Sequence, residues 1–217
     1  MFLVEKLSKS IVSNICNASE IDKDELEMIE YGALIFILKS INIISVIIFG
    51  VIFGVFLESL AITFTIIILR KYSGGVHSDS PNRCIVIGTC ISILFPIIVN
   101  KIYNYIPFKF VNVIAIIILI FSYYIILKLA PVDSPAKPIV NMEMRKNLKN
   151  MSILVMTLIS VLLILLTILY INFAYIILLK ILECICFGVF WQCFSLTVLG
   201  HVIMGKIDNI LKYIVRK

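Results

Sequence analysis

Apolar residues dominate five stretches of the chain, at 33–69, 84–99, 110–129, 152–170 and 172–199. Each is apolar all round rather than along one face, the pattern of helices surrounded by lipid or protein. The first stretch is too long for one span. Its interruptions are Lys39, Glu58 and a few small polar groups, with Gly50 and Gly54 near its middle. Folding there gives a hairpin whose limbs of about 15 to 17 residues reach roughly 22 to 26 Å. A hydrocarbon core is about 30 Å thick, so these limbs predict local thinning or a re-entrant segment. Six hydrophobic segments result. Ahead of them, residues 2–15 set Phe2, Leu3, Leu7, Ile11, Val12 and Ile15 at helical spacing among Glu5, Lys6, Lys9 and Ser13. That pattern suits a helix lying on the membrane surface or on the protein's own loops. Residues 20–30 are acidic, and Asp22 with Glu25 has the spacing of a capping box that opens a helix leading into the first span.

Composition sharpens this picture. Of 217 residues, 61% are hydrophobic and 15% charged, with mean hydropathy +1.11; soluble domains run at about 45 to 50% and about 25%. The expected fold is an all-α integral membrane protein, a single polytopic domain with cytoplasmic helices at 1–32, a membrane region at 33–203 and a basic cytoplasmic tail at 204–217. A large soluble catalytic domain is excluded. Nineteen Lys and Arg against thirteen Asp and Glu give a charge of +6, but these cations flank apolar runs, so they orient the chain in lipid and nucleic acid is not the expected partner. With both termini inside, fifteen of them collect on the cytoplasmic side, Lys101 and Lys109 are left outside, and Lys39 and Lys180 lie within runs. Six cysteines do not form a disulfide framework, because Cys84, Cys90, Cys184, Cys186 and Cys193 sit in or beside apolar runs and only Cys16 is remote from them. The start of the chain lacks a cleavable signal pattern.

Reactive groups, glycines and a helix start coincide once, in RKYSGGVHSDSPNRC at 70–84. Ser80 suits an N-cap and Pro81 the first helical position, which puts Cys84 in the first turn. There the helix dipole and neighbouring Arg83 favour a thiolate. His77 lies seven residues upstream and can reach back as a base, while Gly74 and Gly75 permit a sharp turn or close approach to a substrate. A Cys and His pair would attack a peptide carbonyl and leave a thioester, with amides at the helix start holding the oxyanion. The same residues also fit a polar loop histidine and a small packing cysteine. Asp79 could orient His77 or simply complete a turn.

Other polar groups are more readily structural. Cys184, Cys186 and Cys193 lack zinc spacing, and neither a metal nor another cofactor is expected. Lys180 and Glu183, one turn apart in a greasy run, predict an ion pair. His201 reads as an interfacial group. A rival class, a small non-enzymatic transporter or permease, would line a path with Glu58, Lys180 and Glu183, yet no inverted repeat is evident.

Arg70 with Gly74, Gly75, Val76 and His77, then Cys84, followed by the later APVDSPAKPI at 130–139, resembles AgrB, the accessory gene regulator processing endopeptidase. The resemblance covers nearly the whole chain in length and span pattern. It implies a bacterial plasma-membrane cysteine endopeptidase of quorum sensing, in which His77 and Cys84 form the dyad and Arg70, Gly74, Gly75, Ser80 and Arg83 support the loop. Its implied partner is an AgrD-like precursor with an amphipathic leader, a core bearing a Cys or Ser, and an acidic tail. The enzyme removes the tail, the core closes to a thiolactone or lactone, and the family works as a homodimer. Lys137, Arg145, Lys146 and Lys149 form a cytoplasmic cluster that could dock the acidic tail; a positive-inside loop explains the same residues.

Overall fold

A computed structural model describes residues 23–76, 78, 80–133 and 141–216. The surface helix expected at 2–15, Cys16, and the Asp22 half of the capping box lie outside the described residues. Among those described, seven helices follow one another: α1 (Lys23–Ile52), α2 (Phe56–Ser73), α3 (Pro81–Ile102), α4 (Phe108–Leu129), α5 (Met142–Phe173), α6 (Ile176–Phe194) and α7 (Val198–Arg216). Five, namely α1, α3, α4, α5 and α6, are long and apolar enough to cross a bilayer. The chain is an all-α, multi-pass membrane protein.

The hairpin breaks where its glycines stand, at a turn through Phe53 and Gly54. Its limbs are longer than their apolar core. With 30 residues α1 extends about 45 Å, and the 18 of α2 give about 27 Å. Polar residues continue both helices beyond the apolar stretch, and α2 stays shorter than a hydrocarbon core of about 30 Å. Although α2 runs between the same two ends of the bundle, it carries Glu58, Arg70 and Lys71.

Centrally placed, α6 packs against α2, α3, α4 and α5, while α1 covers α2 and α3. Its residues explain that position. Small and medium side chains, Cys184, Cys186, Gly188, Val189 and Cys193, are all buried and let neighbouring backbones approach, as intramembrane packing requires. A Cβ on Gly188 would stand 3.2 Å from the Ile62 carbonyl of α2. Phe95 of α3 stacks on Phe187 at 3.6 Å, and Leu69, Ile126, Ala130, Met156, Val189 and Leu196 close one cluster beneath the 74–80 loop. That loop, the α4–α5 connection and the α6–α7 junction meet at one end of the bundle. The hairpin turn, the end of α3 and the start of α6 meet at the other.

α7 is amphipathic. Val198, Leu199, Val202, Ile203, Ile210 and Tyr213 are exposed, whereas Met204 and Asp208 are buried.

Candidate active site

The 74–76 segment is held from three sides. Val132, just after α4, donates its amide to the Ser73 carbonyl at 2.9 Å and forms an isolated parallel bridge with Gly74. From α6, the fully buried Gln192 donates Nε2 to Gly74 O at 2.8 Å and to Ser73 Oγ at 3.1 Å. Val76 donates its amide to Ser195 O at 3.4 Å. Only glycine suits two of these positions. Gly74 has φ 71° and Gly75 φ 126°, conformations that L side chains rarely adopt. A Cβ on Gly74 would collide with the Val132 carbonyl, and one on Gly75 would stand 2.8 Å from Ser195 Oγ. The double glycine therefore packs the two similarity motifs, one before α3 and one after α4, directly against each other.

Cys84 stands in the first turn of α3, half-buried and unoxidised. Pro81 takes the first helical position after Ser80, which has extended backbone but makes no side-chain cap bond. Instead Ser78 Oγ accepts from the Ser80 amide at 3.4 Å. The Cys84 amide closes the first helical bond, to Ser80 O at 3.0 Å; the amides of Asn82 and Arg83, ahead of it, have no partner within the helix.

Arg70, at the loop end of α2, interacts electrostatically with Cys84. Burial lowers the pKa of its guanidinium, while attraction to Cys84 raises it. One Nη2 of Arg70 donates to the Val76 carbonyl, and its Nε is buried without a hydrogen-bond partner among the described residues. Arg83 is engaged elsewhere, through Nε to Asp208 Oδ1 and Nη2 to Asp208 Oδ2, both 2.7 Å. Ser78 donates to the same carboxylate. Asp208, from α7, thus ties the stretch between 77 and 84 at two points. His77 and Asp79 lie outside the described residues, so their contacts form no part of this geometry. Neither Gln192, Ser195 nor Asp208 stood out in the sequence. Gln192, a full amide inside an apolar run, was the one available signal.

The basic cluster is divided. Lys137 lies outside the described residues. Arg145 pairs with Asp133 at 2.7 Å, each side chain nearly half exposed, Lys146 is exposed, and Lys149 is half-buried. Beside them a shallow cavity of about 330 Å³ runs from Tyr72, next to the loop, to Asn141, Glu143, Asn147 and Met151 at the start of α5. At the far end, Lys180 and Glu183 interact electrostatically, but the Lys180 ammonium sits over the Tyr103 ring, 4.1 Å from its centroid. His201 is exposed, its Nδ1 2.8 Å from Thr197 O.

A family model described as Accessory gene regulator B matches residues 5–196. AgrB-like protein 2 of Clostridium perfringens strain 13 is 37% identical over 208 residues, covering 95% of this chain and 97% of that protein. An AgrB-like protein of C. perfringens strain SM101 is 38% identical over the same shares. AgrB-like protein 1 of strain 13 is 29% identical over 151 residues, 69% of this chain and 77% of that one. No solved structure matches the chain.

Proposed function

The chain belongs to the accessory gene regulator B family, with a role in the agr quorum-sensing system, and from that premise we propose that it is a membrane cysteine endopeptidase acting on an AgrD-like precursor. His77 takes the proton of Cys84, and the thiolate attacks the carbonyl at the end of the precursor's core. The bond to the acidic tail breaks, His77 protonates the departing amine, and the core remains as a thioester on Cys84 Sγ. The core's own Cys, or a Ser, then attacks that thioester. His77 accepts the proton of the incoming group, Cys84 leaves as thiolate, and the released product is a thiolactone or lactone.

One observation carries this reading most directly. Val76 and Ser78, on either side of residue 77, are each bonded to a different distant element, and Cys84 follows in the first turn of a helix beside the Arg70 guanidinium. A fixed loop limits the entropy lost in reaching an attack geometry. The Asn82 and Arg83 amides, with the positive helix end, are donors that could hold an oxyanion formed at Cys84, and the Arg70 guanidinium acts electrostatically on the same cysteine. The bonds of Ser78 and Arg83 to Asp208 bring α7 to this loop, where it would limit water, which matters because the thioester must pass to an internal nucleophile rather than be hydrolysed.

Lys146, Lys149 and the partly exposed Arg145–Asp133 pair stand at the start of α5, and in this proposal they receive the acidic tail. The loop end carries most of the bundle's cations, so we place it, with both termini, in the cytoplasm. A homodimer is proposed from the family resemblance, and the mass of the purified protein in detergent tests it. The deciding experiment for the whole reading is co-expression with the precursor and mass spectrometry of its fragments. Tail release by the native chain, absent from Cys84→Ala, is the expected result; release by a correctly inserted Cys84→Ala protein would falsify the assignment.

A further inference from the structure

At the end of the bundle opposite the loop, a cavity of about 490 Å³ opens between the hairpin turn, the end of α3 and the start of α6. Its walls are part apolar and part polar: Val51, Leu57 and Ile177 beside Glu58, Asn100 and Lys180. Glu58 is 4% exposed, and its carboxylate has no hydrogen-bond or ion-pair partner among the described residues. The Asn100 Oδ1 is likewise buried without a donor, as is Glu183 Oε1 one turn along α6 from Lys180. Both carboxylates act electrostatically on Cys184, so they share one neighbourhood. Two carboxylates there stand against a single ammonium, that of Lys180, which leans on the Tyr103 ring.

Buried acceptors without donors, here Asn100 Oδ1 and Glu183 Oε1, are costly, and ionisable groups within a membrane bundle mark a functional position. The missing partner must bring N–H donors and positive charge to Glu58 and Asn100. Lys180, on the same wall, faces Glu183 and the Tyr103 ring and is the cation of this lining that an anionic group beside the bound ammonium would meet. Val51 at 63% exposure and Leu57 at 50% form apolar lips that an acyl chain could cover. A primary ammonium joined through a short link to a phosphate, carried on acyl chains, satisfies all three demands.

We propose that this cavity binds the headgroup of a membrane aminophospholipid, with its ammonium on Glu58 and Asn100 Oδ1 and its phosphate on Lys180. The site is independent of the catalytic reading. It would anchor the hairpin turn to the leaflet on that side.

The test is native mass spectrometry of the full chain in mild detergent with equimolar phosphatidylethanolamine, phosphatidylcholine and phosphatidylglycerol. Phosphatidylethanolamine should be retained about tenfold over phosphatidylcholine, which has the phosphate but no ammonium N–H, a ratio on the scale of one charge-assisted hydrogen bond. Glu58→Gln should erase that preference, and Lys180→Met should reduce retention of both zwitterionic lipids. Asn100→Ala, a smaller change, should lower the preference even if Glu58→Gln misfolds. Equal retention of the two zwitterionic lipids by the native chain would overturn the proposal, as would an unaltered preference in both Glu58→Gln and Asn100→Ala. Soluble phosphoethanolamine offered alone distinguishes the source: saturable binding of it without any lipid preference would overturn a lipid as the occupant.

Discussion

Arg83 and Asp208, 125 residues apart, meet through two N–H to carboxylate contacts of 2.7 Å each. Their side chains are 18% and 6% exposed, and Ser78 shares the carboxylate. The last helix is thereby fastened to the loop that holds the proposed catalytic pair. Removing one member of a buried pair costs about 3 to 5 kcal/mol, because the other keeps its desolvated charge. Asp208→Ala and Arg83→Ala should each lower both the melting temperature and precursor cleavage. The double variant should lose less than the sum of the two, as coupled neighbours do. Strict additivity in a double-mutant cycle would show that the contact positions nothing.

Gly74 and Gly75 allow a sharper comparison. The obstacle to a Cβ on Gly74 is a backbone carbonyl, which no rotamer change can move, whereas on Gly75 it is the Ser195 hydroxyl. Both positions also have positive φ, a strain of about 1 to 3 kcal/mol for other residues. Gly74→Ala should therefore abolish cleavage whatever stands at 132. Gly75→Ala should be milder, and Ser195→Gly should restore part of its activity by relieving the steric share. Equal loss in Gly74→Ala and Gly75→Ala, with no effect of Ser195→Gly, would mean that the close packing of the motifs is incidental.

Much of this arrangement was legible in local sequence and much was not. Apolar runs and central glycines fix the hairpin, and Ser80-Pro81 fixes where α3 begins, because those features act on their own neighbours. Contacts across more than a hundred residues leave no such trace. Asp208 sits in an amphipathic, basic tail where an acid reads as solvent-facing. Arg83, adjacent to Cys84, read as a cation for the thiolate from its place in the sequence, but its bonds to Asp208 and the electrostatic contact of Arg70 with Cys84 come from other elements and had no local signal. Lys180 and Glu183 have ion-pair spacing on one helix and do interact, but Tyr103, from the end of α3, adds a ring beneath the ammonium that no spacing along α6 announces. Spacing measures distance along one element, and the outcome in each case was set by another element.

Tail docking predicts a graded charge response. Exposed pairs are worth about 0 to 1 kcal/mol apiece, so reversing Lys146 alone should change precursor binding little. Arg145→Glu, Lys146→Glu and Lys149→Glu together should weaken it, with partial recovery when the precursor's acidic tail is made basic. Asp133→Asn should act the opposite way, since it removes the carboxylate that competes for Arg145. Affinity of the triple variant equal to that of the native chain would count against docking at this face.

Orientation can be read with reporters. If the loop end faces the cytoplasm, a fusion after Asn104, between α3 and α4, should report the outside, and a fusion within the α4–α5 connection the inside. A cytoplasmic signal from the Asn104 fusion would reverse the threading and move the proposed active site to the other face.

The dyad itself is tested by comparing cysteines, because among the described ones Cys84 alone combines a helix start, an electrostatic contact with a guanidinium and partial exposure. Cys184, Cys186 and Cys193 are buried in α6, where thiols react slowly. Cys90 is exposed, but in the middle of a span and away from the helix start. In a Cys16→Ser background, iodoacetamide near pH 7 should label Cys84 first, and Arg70→Gln should slow that labelling more than Arg83→Gln, because Arg83 is neutralised by Asp208. Cleavage should vanish in Cys84→Ala and His77→Ala and survive single replacement of each other cysteine. Labelling slowed by Arg83→Gln but not by Arg70→Gln would reassign the supporting cation. Unchanged labelling in His77→Ala, with cleavage lost, would leave His77 as a base that engages only once the precursor is bound, whereas retained cleavage in that variant would remove it from the mechanism.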